Sequence, residues 1–349
     1  MQCQCENSSI PCILVHGDVG HFHDALIIEK TTSCKNAAYT GYQSLLSGAS
    51  SVQAVESALW WLECDEFFNC GYGSVLNSIG DVQMDASIVD GFKSECGSVA
   101  AISDVEHPIS LARYVLDHFP NSIVVGEGAR KLTAKLNWLS KGNMTAPTAA
   151  YLTYLPGKFQ RCNSNLSNCS SDFDVYIGSG STVGCIAYDG YAIAAGVTSG
   201  GSNRKIVGSV GDSSILGCGT YANRNLACSL TGHGESIMKL GLSRVIASDI
   251  EKGCSLRRAL KRNLDYMSTR CVDRHFGGIV FKRSGEWDVY FTWHKMPYAV
   301  ITNDCVTFGA TLDERNVEKY TECRKRLPCN CHFPLVNDPI SISRHRVAM

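Results

Sequence analysis

Two segments of different character meet in residues 161–187, RCNSNLSNCSSDFDVYIGSGSTVGCIA. The first segment is rich in Ser, Asn and Cys and has neither helical nor strand periodicity, which is typical of a linker, here about 158 to 180. The apolar run from Thr182 to Ala187 then predicts a strand that begins almost directly after the linker. A flexible segment that ends abruptly at a strand marks a candidate processing site.

Composition limits the classes of function. The chain has 349 residues, of which 44% are apolar and 19% are charged, as in an ordinary globular protein. The net charge is −1, and no basic block is interleaved with aromatic residues. This balance gives no electrostatic footprint for nucleic acid or for an anionic membrane surface. Small-molecule or protein substrates are therefore expected.

The N-terminal sequence and the cysteines bear on the compartment. The opening residues MQCQCENSSIPCILVHG have no basic region followed by an apolar stretch, as a secretory signal would. Eighteen cysteines are scattered through a chain that is large enough to form a core. We therefore expect reduced, mostly buried thiols and a cytoplasmic protein.

Before the linker, apolar spacing predicts a buried strand at residues 13–15 and two helices. The first strong helix is capped by Ser50 with Gln53, and its apolar residues recur at helical spacing up to Leu62. Pro108 predicts the start of a second helix. Between the helices, residues 71–91 alternate glycines with short apolar runs, which is typical of hairpin strands.

After the linker, a strand is expected at 191–197, helices at 237–250 and 256–267, and strands at 278–282 and 287–291. Strand and helix blocks thus recur on both sides of the linker. This pattern favours a sandwich of stacked sheets covered by helices over a doubly wound parallel sheet.

The familiar zinc-protease, phosphate-loop and nucleophile-elbow motifs are missing from the sequence, so a hydrolase would need another nucleophile, and Thr182 offers one chemistry for it. A threonine at a new chain end carries an α-amine with an unperturbed pKa of about 8 beside its hydroxyl. It can serve as nucleophile and general base together, once the preceding bond is cut. From spacing alone, however, the favoured interpretation is a β-forming threonine that opens a strand.

Seven blocks in order resemble the isoaspartyl peptidase/L-asparaginase family of N-terminal nucleophile (threonine) hydrolases. The match extends over residues 11 to about 313. The blocks are LVHGDVG at 14–20, FFNCGYGSVLN at 67–77, MDASIVDG at 84–91, STVGCIA at 181–187, TSGG at 198–201, VGSVGDS at 207–213 and TGHGES at 231–236.

The resemblance implies an α+β fold, a four-layer αββα sandwich. It implies autocatalytic cleavage into an α chain, 1–181, and a β chain, 182–349, with both halves in one domain. It further implies a homodimer of processed αβ units. The implied activity is cleavage of isoaspartyl dipeptides, of the side-chain amide of L-asparagine, or of both. This chemistry needs no cofactor.

By position in the blocks, Thr182 resembles the family's nucleophile, Ser199 its second hydroxyl and Asn69 the asparagine that lines the site. Thr231 and Gly232 match the oxyanion hole, where donors face the charge of the tetrahedral intermediate. Without the resemblance, Asn69 would be interpreted as a turn residue, and Thr-Gly-His-Gly as a Gly-rich turn at the start of a helix.

Asp212 matches the carboxylate that holds the substrate's α-ammonium, whereas its simpler interpretation is a turn aspartate. The implied substrate-binding set is Ser209, Val210, Gly211, Asp212, Thr231, Gly232, His233 and Gly234, of which His233 is interpreted as structural. The implied autocleavage set is Ser181, Thr182, His16 and Gly17.

Two segments of the chain could hold a metal ion. The family often holds a structural sodium ion through backbone oxygens of the loop after the first helix, here from Leu62 and Glu63 to about Tyr72. The tail from Glu314 to Met349 could bind a soft metal, although Cys-X-Cys is not the usual zinc spacing. A disordered or surface-packed tail is favoured instead. The tail residues concerned are Cys323, Cys329, Cys331 and His332, with Cys3 and Cys5 of the N-terminal segment.

Three residues depart from the family pattern. Ser209 replaces the arginine that grips the substrate's α-carboxylate, and serine cannot reproduce that planar charged clamp. Arg204 or Lys205 could supply a substitute cation, or the substrate lacks a free α-carboxylate. Ser181 and Asp18 replace glycines, which tolerate strained backbone that other residues resist.

These departures keep two alternatives open. The first is a catalytically weak or inactive relative that acts as a binding protein. The second is a hydrolase of the same family with altered specificity, such as a glycosylasparaginase or a threonine aspartase.

Overall fold

The computed structural model describes residues 10–20, 22, 24–136, 182–271 and 274–321. Within these ranges the α-helices are α1 (Asp24–Leu46), α2 (Ser51–Glu63), α3 (Pro108–His118), α4 (Gly126–Lys135), α5 (Gly234–Leu240), α6 (Leu242–Glu251) and α7 (Leu256–Arg270). Short 3-10 turns lie at Gly71–Gly73 and Asp212–Ser214. The linker predicted at about 158 to 180, Ser181 and the cysteines of both chain ends lie outside the described residues.

The strands form two sheets. They are β1 (Cys12–His16), β2 (Met84–Asp90), β3 (Glu95–Ile102), β4 (Ile123–Val125), β5 (Val183–Tyr188), β6 (Ile193–Ser199), β7 (Thr220–Ala222), β8 (Leu226–Gly232), β9 (Phe276–Lys282), β10 (Trp287–Phe291), β11 (Tyr298–Thr302), β12 (Cys305–Gly309) and β13 (Asn316–Lys319). The large sheet has the order β13-β12-β11-β1-β5-β6-β2-β3-β4, and the small sheet has the order β10-β9-β8-β7. Only the β3–β4 pair is parallel among the described strands.

Each sheet is covered on both faces. Helices α1, α2 and α3 pack on one face of the large sheet, the small sheet packs on its other face, and α6 and α7 cover the outer face of the small sheet. Along β1, Ile13 and Val15 belong to the helix-facing core, while Leu14 belongs to the core between the sheets. Because both faces are buried, the strands appear in sequence as continuous apolar runs. The α+β sandwich predicted from the sequence is confirmed.

Several predicted elements agree in detail with the structure. Ser50 and Gln53 form a complete capping box at the start of α2. Helix α3 begins at Pro108 as predicted. The strands expected at 278–282 and 287–291 are β9 and β10, and the strand expected after Thr182 is β5.

Other elements differ from the prediction. Helix α1, of 23 residues, was missed because its buried face includes Lys30, Ser33 and small residues, which weaken the apolar period. The helix predicted at 237–250 is two helices, α5 and α6, since the chain turns at Gly241 with a left-handed φ of 56°. The hairpin expected at 71–91 is a 3-10 turn, the isolated bridge between Leu76 and Val82, and strand β2.

The two halves of the chain interleave in the large sheet. Strands β5 and β6 lie between β1 and β2, and β5 pairs with β1 over its full length. Beyond Glu314, part of the predicted tail forms β13, which pairs with β12. No helix among the described residues is both long and apolar enough to cross a lipid bilayer.

A buried ion pair fixes the loop after β1. The Lys30 ammonium lies 2.7 Å from Asp18 Oδ2, and both side chains are fully buried. The same ammonium lies 4.8 Å from the ring centroid of Phe22 and 4.6 Å from that of Phe68. Burial raises the pKa of Asp18, and Lys30 opposes that rise. Asp18, which departs from the family's glycine, is thus balanced by a lysine of α1.

We expect Lys30→Met to lower the free energy of unfolding by about 3–5 kcal/mol, because it leaves the Asp18 charge buried without its partner. Urea unfolding measures this loss. The double variant Asp18→Gly/Lys30→Met should regain most of it, since no buried charge then remains.

A matched control is Arg130→Met. Arg130 pairs with Glu127 at 3.3 Å on the exposed surface of α4, and such pairs contribute less than about 1 kcal/mol. Equal losses for the Lys30 and Arg130 variants would contradict a dominant role for the buried pair.

Candidate active site

Thr182 lies directly before β5 and is almost completely buried. Its backbone N–H donates a hydrogen bond to Thr231 Oγ1 at 3.0 Å. Its own Oγ1 lies 3.1 Å from Ser213 Oγ, a contact in which either hydroxyl can donate. Both the nitrogen and the hydroxyl of Thr182 are therefore held by the hydroxyls of other residues.

Thr231 and Gly232 end β8 in the small sheet. The Gly232 φ is 140°, which favours glycine. A methyl group added there would lie 2.3 Å from the His275 carbonyl oxygen, so no larger residue fits. Packing of the two sheets brings this strand end to Thr182 of the large sheet.

Ser213 was not among the site residues predicted from the sequence. It lies in the 3-10 turn Asp212–Ser214, and its carbonyl oxygen accepts a 2.6 Å hydrogen bond from Ser87 Oγ of β2. The turn is thereby tied to the large sheet beside Thr182. The sequence signal that could have found Ser213 is its place directly after Asp212 in the block VGSVGDS.

Asp212 is a buried carboxylate with little local compensation. Its pKa is raised to about 7, chiefly by burial and also by the nearby carboxylates of Asp85 and Glu235. Its Oδ2 has no hydrogen-bond partner among the described residues. A methyl group added to Gly234 would lie 2.5 Å from Asp212 Oδ1, so Gly234 leaves the space that the carboxylate occupies. The arrangement suits a cationic ligand group.

Asn69 and Ser199 hold the loop Gly200–Gly201. Asn69 Nδ2 donates to the Gly201 carbonyl at 2.8 Å, and Gly200 N–H donates to the Asn69 carbonyl at 2.8 Å. Gly201 N–H donates to Ser199 Oγ at 2.9 Å. Asn69 Oδ1 accepts from Val75 N–H at 3.0 Å. These bonds fix the loop that forms one wall of the site.

His16 ends β1, in register with Gly184, two residues after Thr182. Its Nε2 lies 2.8 Å from Ser229 Oγ, and burial lowers the pKa of the ring to about 4. The ring is thus neutral at pH 7. Gly17 N–H donates to the Pro297 carbonyl at 2.8 Å, which fixes the start of the following loop.

A cavity opens beside these residues, and two of its carboxylates, Asp85 and Glu235, were not predicted from the sequence. Among the residues that line it are Asp85, Ser199, Lys205, Ser209, Asp212 and Glu235. Gly211 and Gly234 of the predicted substrate-binding set also line it. His233 instead precedes α5, where its Nδ1 lies 2.7 Å from Ser236 Oγ.

The loop after α2 offers oxygen donors for the predicted sodium ion. A methyl group added to Gly73 would lie 2.0 Å from the Phe68 carbonyl oxygen and 2.6 Å from that of Glu66. The two carbonyl oxygens therefore lie close to the same space beside Gly73. Carbonyl oxygens suit a hard cation. The Glu63 carboxylate is already engaged, since its Oε1 accepts from Thr198 Oγ1 at 2.7 Å. The sodium site stays a prediction, and no cluster of three His, Cys, Asp or Glu side chains suited to a metal is found among the described residues.

The chain is similar in sequence to known proteins. A sequence model described as asparaginase matches residues 9–309. The isoaspartyl peptidase/L-asparaginase of Xenopus laevis is 38% identical over 309 residues, which cover 88% of this chain and 97% of that protein.

Mammalian proteins of the same name are similar to a comparable degree. That of Rattus norvegicus is 38% identical over 82% of this chain and 84% of its own length. That of Homo sapiens is 36% identical over 80% of this chain and 89% of its own length. The chain therefore belongs to the asparaginase family of N-terminal nucleophile hydrolases, and it is a hydrolase of the isoaspartyl peptidase/asparaginase type.

Proposed function

We propose that the chain cuts itself between Ser181 and Thr182 and then uses the freed threonine to hydrolyse L-asparagine and isoaspartyl dipeptides. The observation that carries this proposal is the position of Thr182, whose nitrogen and hydroxyl are both held by hydroxyls, and one of these, that of Ser213, belongs to a residue that lines the charged cavity. The names of the relatives support the substrate class.

In the proposed reaction, the α-amine of Thr182 accepts the hydroxyl proton while Oγ1 attacks the side-chain carbonyl carbon of the substrate. The C–N bond then breaks, and the amine returns the proton to the leaving nitrogen. Ammonia or the second amino acid departs, and an ester joins the aspartyl group to Thr182. Water cleaves this ester, which releases aspartate and restores the threonine.

Thr231 has two roles in the proposed reaction. Its hydroxyl oxygen accepts from the Thr182 nitrogen, which leaves the hydroxyl proton available to a developing oxyanion. Gly232 follows at the strand end, where its backbone conformation excludes other residues. Burial of the new amine disfavours its charged form, which suits a general base at neutral pH.

Asp212 is assigned to the substrate's α-ammonium. Its unsatisfied Oδ2 and its position in the cavity support the assignment. A buried carboxylate attracts a cation more strongly than an exposed one does, because water screens the attraction less. Asn69 and Ser199 then act by holding the Gly200–Gly201 wall, and His16 and Gly17 by positioning the segment next to the cleavage site.

The proposal extends to assembly and location. We propose a homodimer of processed αβ units in the cytoplasm. The cytoplasmic location is supported by the free, mostly buried cysteines of the described residues, since thiols persist in a reducing compartment. Light scattering of the processed protein measures the assembly.

Thr182→Ala should abolish both self-cleavage and hydrolysis, because it removes the attacking oxygen. Purified wild-type protein should appear on a denaturing gel as two fragments, residues 1–181 and 182–349, and mass spectrometry should find Thr182 as a new N-terminus. The conservative control Thr182→Ser keeps an attacking hydroxyl and should retain cleavage at a lower rate. Wild-type protein that hydrolyses asparagine as an intact chain would overturn the proposal.

Ser213→Ala should lower kcat for L-asparagine roughly two- to tenfold with little change in KM, because one neutral hydrogen bond to the nucleophile contributes about 0.5–1.5 kcal/mol. Steady-state kinetics of the processed protein measure the change. Ser214→Ala is the matched control, since that hydroxyl bonds to the Gly211 carbonyl in the same turn. Equal effects of both variants would indicate that the turn matters only as a whole.

Affinity for L-aspartate, the expected product, should fall as pH drops below about 7. The pKa of Asp212 is raised to about 7, so acid removes the negative charge that holds the α-ammonium. The inhibition constant of L-aspartate, measured between pH 5 and pH 8.5, tests this independently of catalytic turnover.

Asp212→Asn provides the comparison. This variant should bind L-aspartate at least tenfold more weakly at pH 8, because a charged hydrogen bond is lost, and its affinity should vary less with pH. An Asp212→Asn protein with the wild-type pH profile would assign the titration to another group.

A further inference from the structure

The cavity beside Thr182 contains a lysine with unused hydrogen-bonding capacity. The Lys205 side chain is only 5% exposed, and its Nζ has no hydrogen-bond partner among the described residues. The nearest carboxylate oxygen, Asp85 Oδ2, lies 3.8 Å away. An ammonium group carries three donors, so Lys205 can bind an acceptor that enters the cavity.

The lysine is held in place by its surroundings. Ser78 N–H donates to the Lys205 carbonyl at 2.8 Å, and Lys205 N–H donates to the Ser202 carbonyl at 3.1 Å. A methyl group added to Gly201 would lie 2.7 Å from Lys205 Nζ, so the ammonium packs directly on the loop that forms the cavity wall. The backbone and the wall therefore direct this cation into the site.

Asp85 balances Lys205 without consuming its donors. Asp85 Oδ1 accepts from Ala101 N–H at 2.8 Å, and Oδ2 accepts from Gly211 N–H at 2.9 Å. The backbone thus anchors this carboxylate, which faces Lys205 at ion-pair distance only. Burial lowers the pKa of Lys205, while Asp85 and Glu235 oppose that shift and favour the charged form.

Arg204 does not share this position. It is exposed, whereas Lys205 is buried, and its backbone has a positive φ of 57°. It does not line the cavity, whereas Lys205 and Ser209 do. Of the two cations that the sequence offers, only Lys205 reaches the site.

We propose that Lys205 is the specificity-determining cation that binds the substrate's free α-carboxylate, in place of the arginine that Ser209 replaces. This inference rests on the proposed function. Asp212 and Lys205 would then bind the two charges of an amino-acid head group. Without Lys205, a substrate carboxylate would face Asp85, Asp212 and Glu235, all of like charge. The substrate class is therefore a β-aspartyl compound with a free α-carboxylate, not an asparagine whose α-carboxyl lies in a peptide bond.

Two chromogenic compounds test the inference. One is the β-para-nitroanilide of L-aspartic acid, and the other is the same compound with its α-carboxyl group converted to a carboxamide. Wild-type protein should hydrolyse the free acid with a kcat/KM at least about tenfold above that of the carboxamide, since a charged hydrogen bond is lost in the latter.

Lys205→Met should abolish this preference. We expect its KM for the free acid to rise about tenfold or more, with little change for the carboxamide. Lys205→Arg should keep the preference, and adding Ser209→Arg to Lys205→Met should restore it. Arg204→Met is the matched control and should behave as wild type. Self-cleavage and thermal unfolding show whether each variant folds.

The outcomes separate the inference from the proposed function. Equal losses on both compounds in well-folded Lys205→Met, or an unchanged preference, would overturn the role of Lys205. If wild-type protein hydrolyses neither these compounds nor L-asparagine nor isoaspartyl dipeptides, the proposed function fails, and calorimetry then decides the role of Lys205 alone. L-Aspartate should bind wild-type protein more tightly than its α-amide does, and Lys205→Met should remove that difference. Binding that is equal for both ligands in wild-type protein would refute it.

Discussion

The hydrogen bond from the Thr182 N–H to Thr231 Oγ1 joins two different sheets, and the site depends on it. Thr182 directly precedes β5 of the large sheet, whereas Thr231 lies at the end of β8 in the small sheet. The apolar layer between the sheets, which includes Leu14, Ile186 and Ile279, sets the distance between them. Because such interiors are close-packed, the layer fixes both threonines without local flexibility. Precise placement of this kind is what an attacking hydroxyl requires.

The same burial that fixes the geometry sets the charges of the cavity. Asp85 is stabilised by two backbone N–H groups, whereas Asp212 Oδ2 has no hydrogen-bond partner among the described residues. Burial raises the pKa of both carboxylates, but at Asp85 the Lys205 ammonium and these two bonds oppose the rise, whereas the pKa of Asp212 rises to about 7. An uncompensated buried carboxylate lowers the stability of the free protein, and a bound ammonium group would offset that loss. This arrangement is expected of a site that binds a cation.

The strands and the sequence blocks around the site were predictable because both depend on residues that are close together in the chain. The capping box of Ser50 and the apolar run of β5 are examples. Helix α1 left no clear period, since Lys30 occupies its buried face and its partner Asp18 lies outside the helix. The environment of Lys205 could not be predicted from the sequence either. Two adjacent cations look alike in sequence, and only the folded loop buries Lys205 while it leaves Arg204 exposed.

The departures from the family pattern have different physical consequences. Asp18 introduces a charge into a buried loop, but Lys30 and two aromatic rings accommodate it, so the departure is absorbed within the fold. Ser209 removes a charge from a cavity that already holds three carboxylates, and there Lys205 is the remaining cation among the lining residues that the structure describes. An ammonium group is a compact point charge, whereas a guanidinium group is a planar fork with fixed directions. In the proposed reaction, Ser209 therefore changes how a head group is oriented, while the contacts of Thr182 with Thr231 and Ser213 do not depend on it.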